Sequence, residues 1–423
     1  MAGPGEPQEH ALHADSLTDR QARNANLDVL RAIAAVMVLL GHAYGLSGRV
    51  VVSLAGGSFL SPRWLIDTTL TVGYAGVWLF FALSGYLISR PFVAALAAGD
   101  PSPGARAYAI RRAARIYPLY WVVLALTLVI LDVHVTAGHL VAHVLLLQNL
   151  VPGEQSAVVG VAWTLSLEIL FYVFVPVAAV LARRAASGRP VSVVTLANGV
   201  LVLWALSFGC GLLAAASDNP IRQAWIFTSL PAVLCMFCPG TLLAISRSGF
   251  PPGSRWHRAV VGAPSSRWAP LVAAACIVVA AMVAAGFSPP TRPGHVSMLG
   301  YLVVISSARV LFAIGFGIIV ARALAAAPYG RRLAPVLAEL GLISYGIYLI
   351  HFLITESLAT TSWGRNLIPL RHGGALAYVV HATLILALTI PAAWASWHWF
   401  ERPILRRAIA AGDAARAVSP PSR

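Results

Sequence analysis

Stretches of about twenty apolar residues recur along this chain, and as a helix each rises about 30 Å, the thickness of a bilayer's hydrocarbon core. About ten are expected, at residues 27–46, 69–89, 116–135, 162–182, 191–214, 226–246, 268–288, 299–321, 336–356 and 375–399. A shorter apolar piece, 139–151, is too brief to cross and is expected to be re-entrant or interfacial. Composition agrees: of 423 residues 58% are hydrophobic and 11% charged, against roughly 25% charged in a soluble domain. The pattern predicts an all-α, polytopic membrane bundle of about ten helices and excludes an ordinary soluble enzyme. Residues 1–26 are expected to be a disordered polar tail, 27–403 the membrane domain and 404–423 a basic tail. No soluble domain is expected at either end, and no fixed-period repeat is visible.

The net charge of +15 comes from arginines grouped between the apolar runs rather than along one polar face, which speaks against nucleic acid as a partner. With the N-terminus inside, the cytoplasmic segments carry Arg90, Arg106, Arg111, Arg112 and Arg115, then Arg183, Arg184 and Arg189, then Arg247, Arg255, Arg258 and Arg267, then Arg322, Arg331 and Arg332. The C-terminal tail adds Arg402, Arg406, Arg407, Arg416 and Arg423, while the other side holds Arg49, Arg63, Arg222, Arg292, Arg365 and Arg371. This asymmetry predicts both termini in the cytoplasm of a multi-pass protein of the cell membrane. The four cysteines sit in apolar runs, so disulfides are not expected and Cys235-x-x-Cys238 reads as packing.

Ionisable side chains at membrane depth are costly, about 2.5 to 3.5 kcal/mol on insertion scales, so each is a functional candidate. Here they are Arg31, His42, Glu168, Arg309, Glu339, His351 and His381. Arg31 and His42 are eleven residues apart, three turns and about 20°, hence on one face and separated by about 16 Å. That suits an extended ligand entering from the cytoplasm, with a charged group at Arg31 and its reactive end at His42. Counting from the helix ends places Glu168 about 9 Å in from outside and His351 about 22 Å from inside, which predicts that both share the level of His42. A carboxylate there would orient the imidazole of a general base acting on a hydroxyl. Arg112 and Arg115, at i and i+3, project together and suit the phosphates of a coenzyme, although arginines at this place also serve topology. His139 and His143 have metal-compatible spacing, but two ligands do not make a site, and no metal is expected.

Five segments in order resemble the acyltransferase-three family of polytopic membrane enzymes, over about residues 24–403. They are Asn26-Leu-Asp28-Val-Leu-Arg31 with His42; the Phe-Phe-x-Leu-Ser-Gly-Tyr-Leu-Ile run through Ser84; Arg112-x-x-Arg115-Ile-Tyr-Pro118; Trp163-Thr-Leu-Ser166-Leu-Glu168; and Ser344-Tyr345-Gly-Ile-Tyr348-Leu-Ile-His351. Ile169 follows Glu168 where the family often has a second acid, and Leu353 stands where a Pro often follows the late His. The resemblance implies O-acylation of a sugar or small molecule with acetyl-coenzyme A or another acyl-coenzyme A as donor substrate, and no permanently bound cofactor. It implies His42 and Glu168 as catalytic, Arg31, Arg112, Arg115 and Ser84 as acyl-coenzyme A-binding, and His351, Tyr345 and Trp163 as supporting. The acceptor class stays open among glycans, lipid-linked saccharides and secreted small molecules such as macrolides. The rival reading is a proton-coupled transporter in which His42, Glu168 and His351 relay protons; a sensor built on an inactive acyltransferase site is a third.

Overall fold

The computed structural model describes residues 25–48, 72–286, 297–326, 334–367 and 375–417. The expected disordered tail before residue 25, and Arg49, Arg63, Arg292, Arg331, Arg332, Arg371 and Arg423, lie outside the described residues. Among the described residues every regular element is helical. In chain order they are α1 (Ala25–Gly48), α2 (Gly76–Ala98, entered through a 3₁₀ turn Val72–Ala75), α3 (Ala105–Ile130), α4 (Ala137–Val144), α5 (Ala162–Ala185) and α6 (Val193–Leu212). There follow α7 (Pro220–Phe227), α8 (Leu230–Val233), α9 (Cys238–Ser246), α10 (Ala263–Ser265), α11 (Ala269–Gly286) and α12 (Met298–Ala325). The chain ends in α13 (Ala334–Leu342), α14 (Ser344–Thr360), α15 (Ser362–Leu367), α16 (Ala375–Ser396) and α17 (Arg402–Ala417).

Seven of the described helical stretches are long and apolar enough to cross a bilayer, or nine if each bent pair counts as one span, where the sequence suggested about ten. The difference lies at 226–246, which is not one helix but α7, α8 and α9 with breaks between them. Pro220, Pro231 and Pro239 stand in the first turns of these pieces, where a missing N–H is tolerated but cannot continue a preceding helix. The run 336–356 is likewise bent, by 65° between α13 and α14. The basic C-terminal segment begins as α17, which packs on α3.

Helices α1 and α2 form the centre, with 61% and 67% of their apolar windows buried against 22% for the stretch containing α6. Outward faces of α6 (Leu201, Val202, Leu206), α11 (Leu271, Val272, Val278) and α16 (Leu376, Val379) are bare hydrocarbon. Water would not hydrate such faces favourably and lipid does, so the chain is a membrane protein. Between helices in lipid, close packing replaces the hydrophobic effect as the driving force, and small residues permit it. Gly85 and Gly240 let α2 and α9 touch backbone to backbone: a Cβ on Gly240 would run into the Ala82 carbonyl, and one on Gly85 into that of Phe237. Gly240→Ala is therefore expected to lower stability by about 1–3 kcal/mol or more, because backbone and not a flexible side chain must move. A thermal melt of the detergent-solubilised protein checks this; an unchanged midpoint contradicts the close approach.

The piece 139–151 folds back into the bundle. Tyr117, Tyr120 and Trp121 of α3 donate hydrogen bonds to the carbonyls of Leu145, His143 and Val144 at 3.0, 2.8 and 2.9 Å. These donors lie roughly 18–24 Å along α3 from its start, near its middle, so α4 reaches that depth and turns back. Asn149 next donates to the Trp163 carbonyl at 3.0 Å, and Val158, Val159 and Val161 are buried. Helix α5 therefore starts inside the bundle rather than at its surface.

Candidate active site

A cavity of about 1120 Å³ opens between α1, α2, α3, α5 and α14. Its lining is basic, with Arg31, Arg90, Arg111, Arg112, Arg115 and Arg247, and its walls carry Ser84, Glu168, Tyr172, Tyr345 and Tyr348. Six guanidinium groups around one opening, with Glu168 and Asp28 as the acids, make a site for a polyanion.

The arginines are not equivalent. Arg31, on the first turns of α1, is held 2.6 Å from Asp28, one turn earlier, and its side chain remains 35% exposed. Arg112 lies between two phenol rings, 5.5 Å from the centroid of Tyr108 and 5.0 Å from that of Tyr172, with no carboxylate in salt-bridge range among the described residues. Its fork is thus oriented by stacking and still has donors to give. Arg115 is engaged: it pairs with Glu401 at 3.4 Å, donates to the Leu342 carbonyl at 3.3 Å and lies over Tyr345 and Trp397. The two arginines that the i, i+3 spacing put together thus have different surroundings, and Arg115 ties α3 to the π-helical turn Trp397–Glu401 and to the end of α13.

Glu168 is placed differently from the depth count. Its Oε1 accepts from Ser84 Oγ and from Tyr172 OH, each at 2.9 Å, within the arginine-lined cavity. It makes no hydrogen bond with His42. The count assumed that α5 begins level with the other helix ends, whereas Thr164, one turn before Glu168, already meets Tyr348, which packs on His351 from one turn before it, so Glu168 lies beyond the level of the histidine pair. Ser84 is accordingly a partner of Glu168 on the cavity wall. Tyr345 donates from its hydroxyl to the Ile116 carbonyl at 2.5 Å, and Trp163 sets its ring 6.2 Å from that of Trp78.

The partner of His42 is His351. Their ring centroids are 5.0 Å apart, and His351 Nε2 lies 3.3 Å from His42 Nδ1. Each Nδ1 also faces a carbonyl of its own helix at 2.9 Å, Val38 for His42 and Ile347 for His351. A carbonyl only accepts, so in the neutral rings the proton is assigned to Nδ1 of both. His351 Nε2 then bears a lone pair that shares the His42 Nδ1 proton, and His42 Nε2 is left with a lone pair that no described group engages. A nitrogen so placed, with the tautomer assigned from the hydrogen bonds behind it, is able to take up a proton. His351 is fully buried, while His42 is partly exposed and stands 5.0 Å from the ring of Tyr74, itself 40% exposed.

Neither histidine lines the cavity. Tyr348 separates them from it, with its ring 6.0 Å from Phe80 and 5.8 Å from His351 and its hydroxyl 2.6 Å from Thr164 Oγ1. The sequence did not single out Phe80, Tyr348, Tyr74, Arg90 or Arg247 as site residues. Aromatic and arginine side chains are ordinary at these places, and only the three-dimensional pairing distinguishes them.

The other singled-out groups lie elsewhere. His139 and His143 bracket one carboxylate, Glu154, at 3.1 and 3.2 Å. Glu339 lies 3.6 Å from His398 with its side chain 46% exposed. Arg183 binds the carbonyls of Gly99 and Asp100, and the four cysteines are free thiols.

No curated protein and no solved structure matches the chain significantly. A family model does: the acyltransferase-3 model, described as an acyltransferase domain, matches residues 24–398. That interval contains every arginine of the cavity, Glu168 and both histidines, and it spans nearly the whole chain, which therefore belongs to the acyltransferase-3 family of membrane acyltransferases.

Proposed function

We propose that this acyltransferase moves an acetyl or other short acyl group from acyl-coenzyme A to a hydroxyl of a glycan or another carbohydrate-containing acceptor. The observation that carries the reading is the arginine-lined cavity abutting a histidine pair whose tautomer leaves Nε2 of His42 as a base. The coenzyme's phosphates meet Arg112 and Arg31, with Arg90, Arg111 and Arg247 supplying the surrounding field. The pantetheine arm runs along Ser84 and Glu168 toward Phe80 and Tyr348, which must shift to bring the thioester to His42. His42 Nε2 takes the acceptor hydroxyl proton as the oxygen attacks the thioester carbonyl carbon. The carbon–sulfur bond then breaks, and the leaving thiolate recovers the proton from the imidazolium. His351 acts as a positioning residue. The arginine face is then the cytosolic side of the cytoplasmic membrane, where the donor is made available.

Direct binding tests the donor half. Acetyl-coenzyme A titrated into the detergent-purified protein is expected to bind with competition by free coenzyme A, and Arg112→Ala to weaken it roughly 10–100-fold, the value of a charged hydrogen bond of about 1.5–3 kcal/mol. Retention lost at modest salt, or an Arg112→Ala affinity equal to wild type, would contradict the assignment.

A further inference from the structure

Arg309 is a second arginine of consequence, far from the cavity mouth. It sits in mid α12 and is 7% exposed. Its Nη1 donates to the Phe227 carbonyl at 3.0 Å, and its guanidinium carbon is 3.5 Å from the centroid of Phe227 and 5.5 Å from that of Trp78. Among the described residues the titratable groups near enough to act on it are Cys235 and Tyr301, and no carboxylate is among them. Among the described residues, one donated hydrogen bond and two rings leave most of its five donors without a partner. Three residues earlier on the same face of α12, the buried Ser306 Oγ also has no hydrogen-bond partner among the described residues. A guanidinium in a bilayer-spanning bundle with no counter-ion among the described residues is a standing cost, and an unpaired hydroxyl beside it adds to that cost. Both are removed if an anion binds there.

Arg309 is also at the level of the base. Asn26 Nδ2 donates to the carbonyls of Ala323 and Ala326 at 3.0 and 3.1 Å, which aligns the start of α1 with the end of α12. From that common end His42 lies sixteen residues up α1, about 24 Å, and Arg309 fourteen residues along α12, about 21 Å. An aromatic row joins them: His42 faces Tyr74 at 5.0 Å, Trp78 follows one turn later, about 6 Å along the axis, and Arg309 stands 5.5 Å from Trp78. Trp78 in turn meets Trp163 edge to face, and both are partly exposed. Flat aromatic faces beside a cation and an imidazole have the chemistry to take a ring-shaped, negatively charged molecule with a hydroxyl.

The geometry points to Arg309 as the anchor for an anionic group of the acyl acceptor, whose hydroxyl is then presented to His42. The acceptor class is thus a saccharide bearing a carboxylate or a phosphate, not a neutral one. This rests on the acyltransferase reading of His42, and it narrows that reading by naming the charge of the acceptor.

Two matched pairs of probes test it by binding to the full chain in nanodiscs: methyl glucuronide against methyl glucoside, and citronellyl phosphate against citronellol. Wild type is expected to bind the charged member of at least one pair at least tenfold more tightly than the neutral one. A preference in the first pair identifies an acidic sugar, and one in the second a phosphate carried on a lipid. Arg309→Gln should abolish the preference and Arg309→Lys should keep part of it, while both bind acetyl-coenzyme A as wild type does. Equal binding of charged and neutral probes by wild type, or an undiminished preference in a folded Arg309→Gln protein, overturns the proposal. Should Arg309→Gln fail to fold, the Lys variant decides: a preference no smaller than that of wild type for a phosphate, which wants the bidentate fork, contradicts it. Binding to His42→Ala should show the same preference, so the anion site stands or falls separately from the chemistry at His42.

Discussion

Replacing His42 with alanine is expected to lower acyl transfer about 10²–10⁴-fold, the range that a positioned general base contributes. Because His42 does not line the arginine cavity, affinity for acetyl-coenzyme A should stay within twofold of wild type. That split between turnover and donor binding is the signature of a group acting on the reacting atoms. His351→Phe tests the arrangement behind it. His351 Nε2 shares the His42 Nδ1 proton, but the Val38 carbonyl holds the same proton at 2.9 Å, so the tautomer survives in part. The expected loss is therefore smaller than for His42→Ala, with substrate affinities unchanged. Steady-state rates and donor titrations on the two purified variants measure both effects. If His42→Ala turned over normally, the base would have to be sought elsewhere, with Glu168 in the cavity as the next candidate.

The second large effect concerns stability. Arg115→Met is expected to destabilise the bundle by about 2–3 kcal/mol, somewhat under the 3–5 kcal/mol of a fully buried pair because the Arg115 side chain keeps 28% exposure. What remains after the substitution is Glu401, 5% exposed, with Ser396 Oγ at 3.0 Å as its surviving hydrogen bond. An ionised carboxylate left in that position is the source of the cost, so Arg115→Met combined with Glu401→Gln should recover most of the loss. Thermal melts of the wild type, both single variants and the double variant give the coupling directly. Additive losses would mean that the contact does not govern stability. The same variants separate Arg115 from Arg112, since Arg112→Ala is expected to act on donor affinity and Arg115→Met on folding.

The helical membrane fold was largely legible in the sequence, because a run of apolar residues long enough to cross a bilayer has few other uses. The legibility failed where length and hydropathy agree but backbone continuity does not. Residues 226–246 read as one span and form three short helices punctuated by prolines, and 336–356 bends between Leu342 and Ser344. Candidate residues were also conspicuous, since a charge or imidazole within such a run stands out: His42, His351, Arg31 and Glu168 are all of this kind. Their pairing was not. Depth counting treats every helix as starting at a common level, and α5 departs from that, its start lying among buried residues after the infolded segment at 139–151. That one departure moves Glu168 away from His42 to the cavity wall and leaves His351 as the partner of His42. Glu401 escaped notice because nothing local marks it; its partner Arg115 is 286 residues away.

The central claim is that the chain acylates a hydroxyl through His42. Mass spectrometry of cell-envelope glycans, lipid-linked saccharides and secreted metabolites tests it most directly, in cells with the gene, without it, and complemented by wild type or His42→Ala. The expected result is an acyl-modified, negatively charged species that disappears with the gene, returns with wild type and does not return with the variant. An identical acylation pattern in all four strains, with the protein present in the membrane, would contradict it and turn attention to transport.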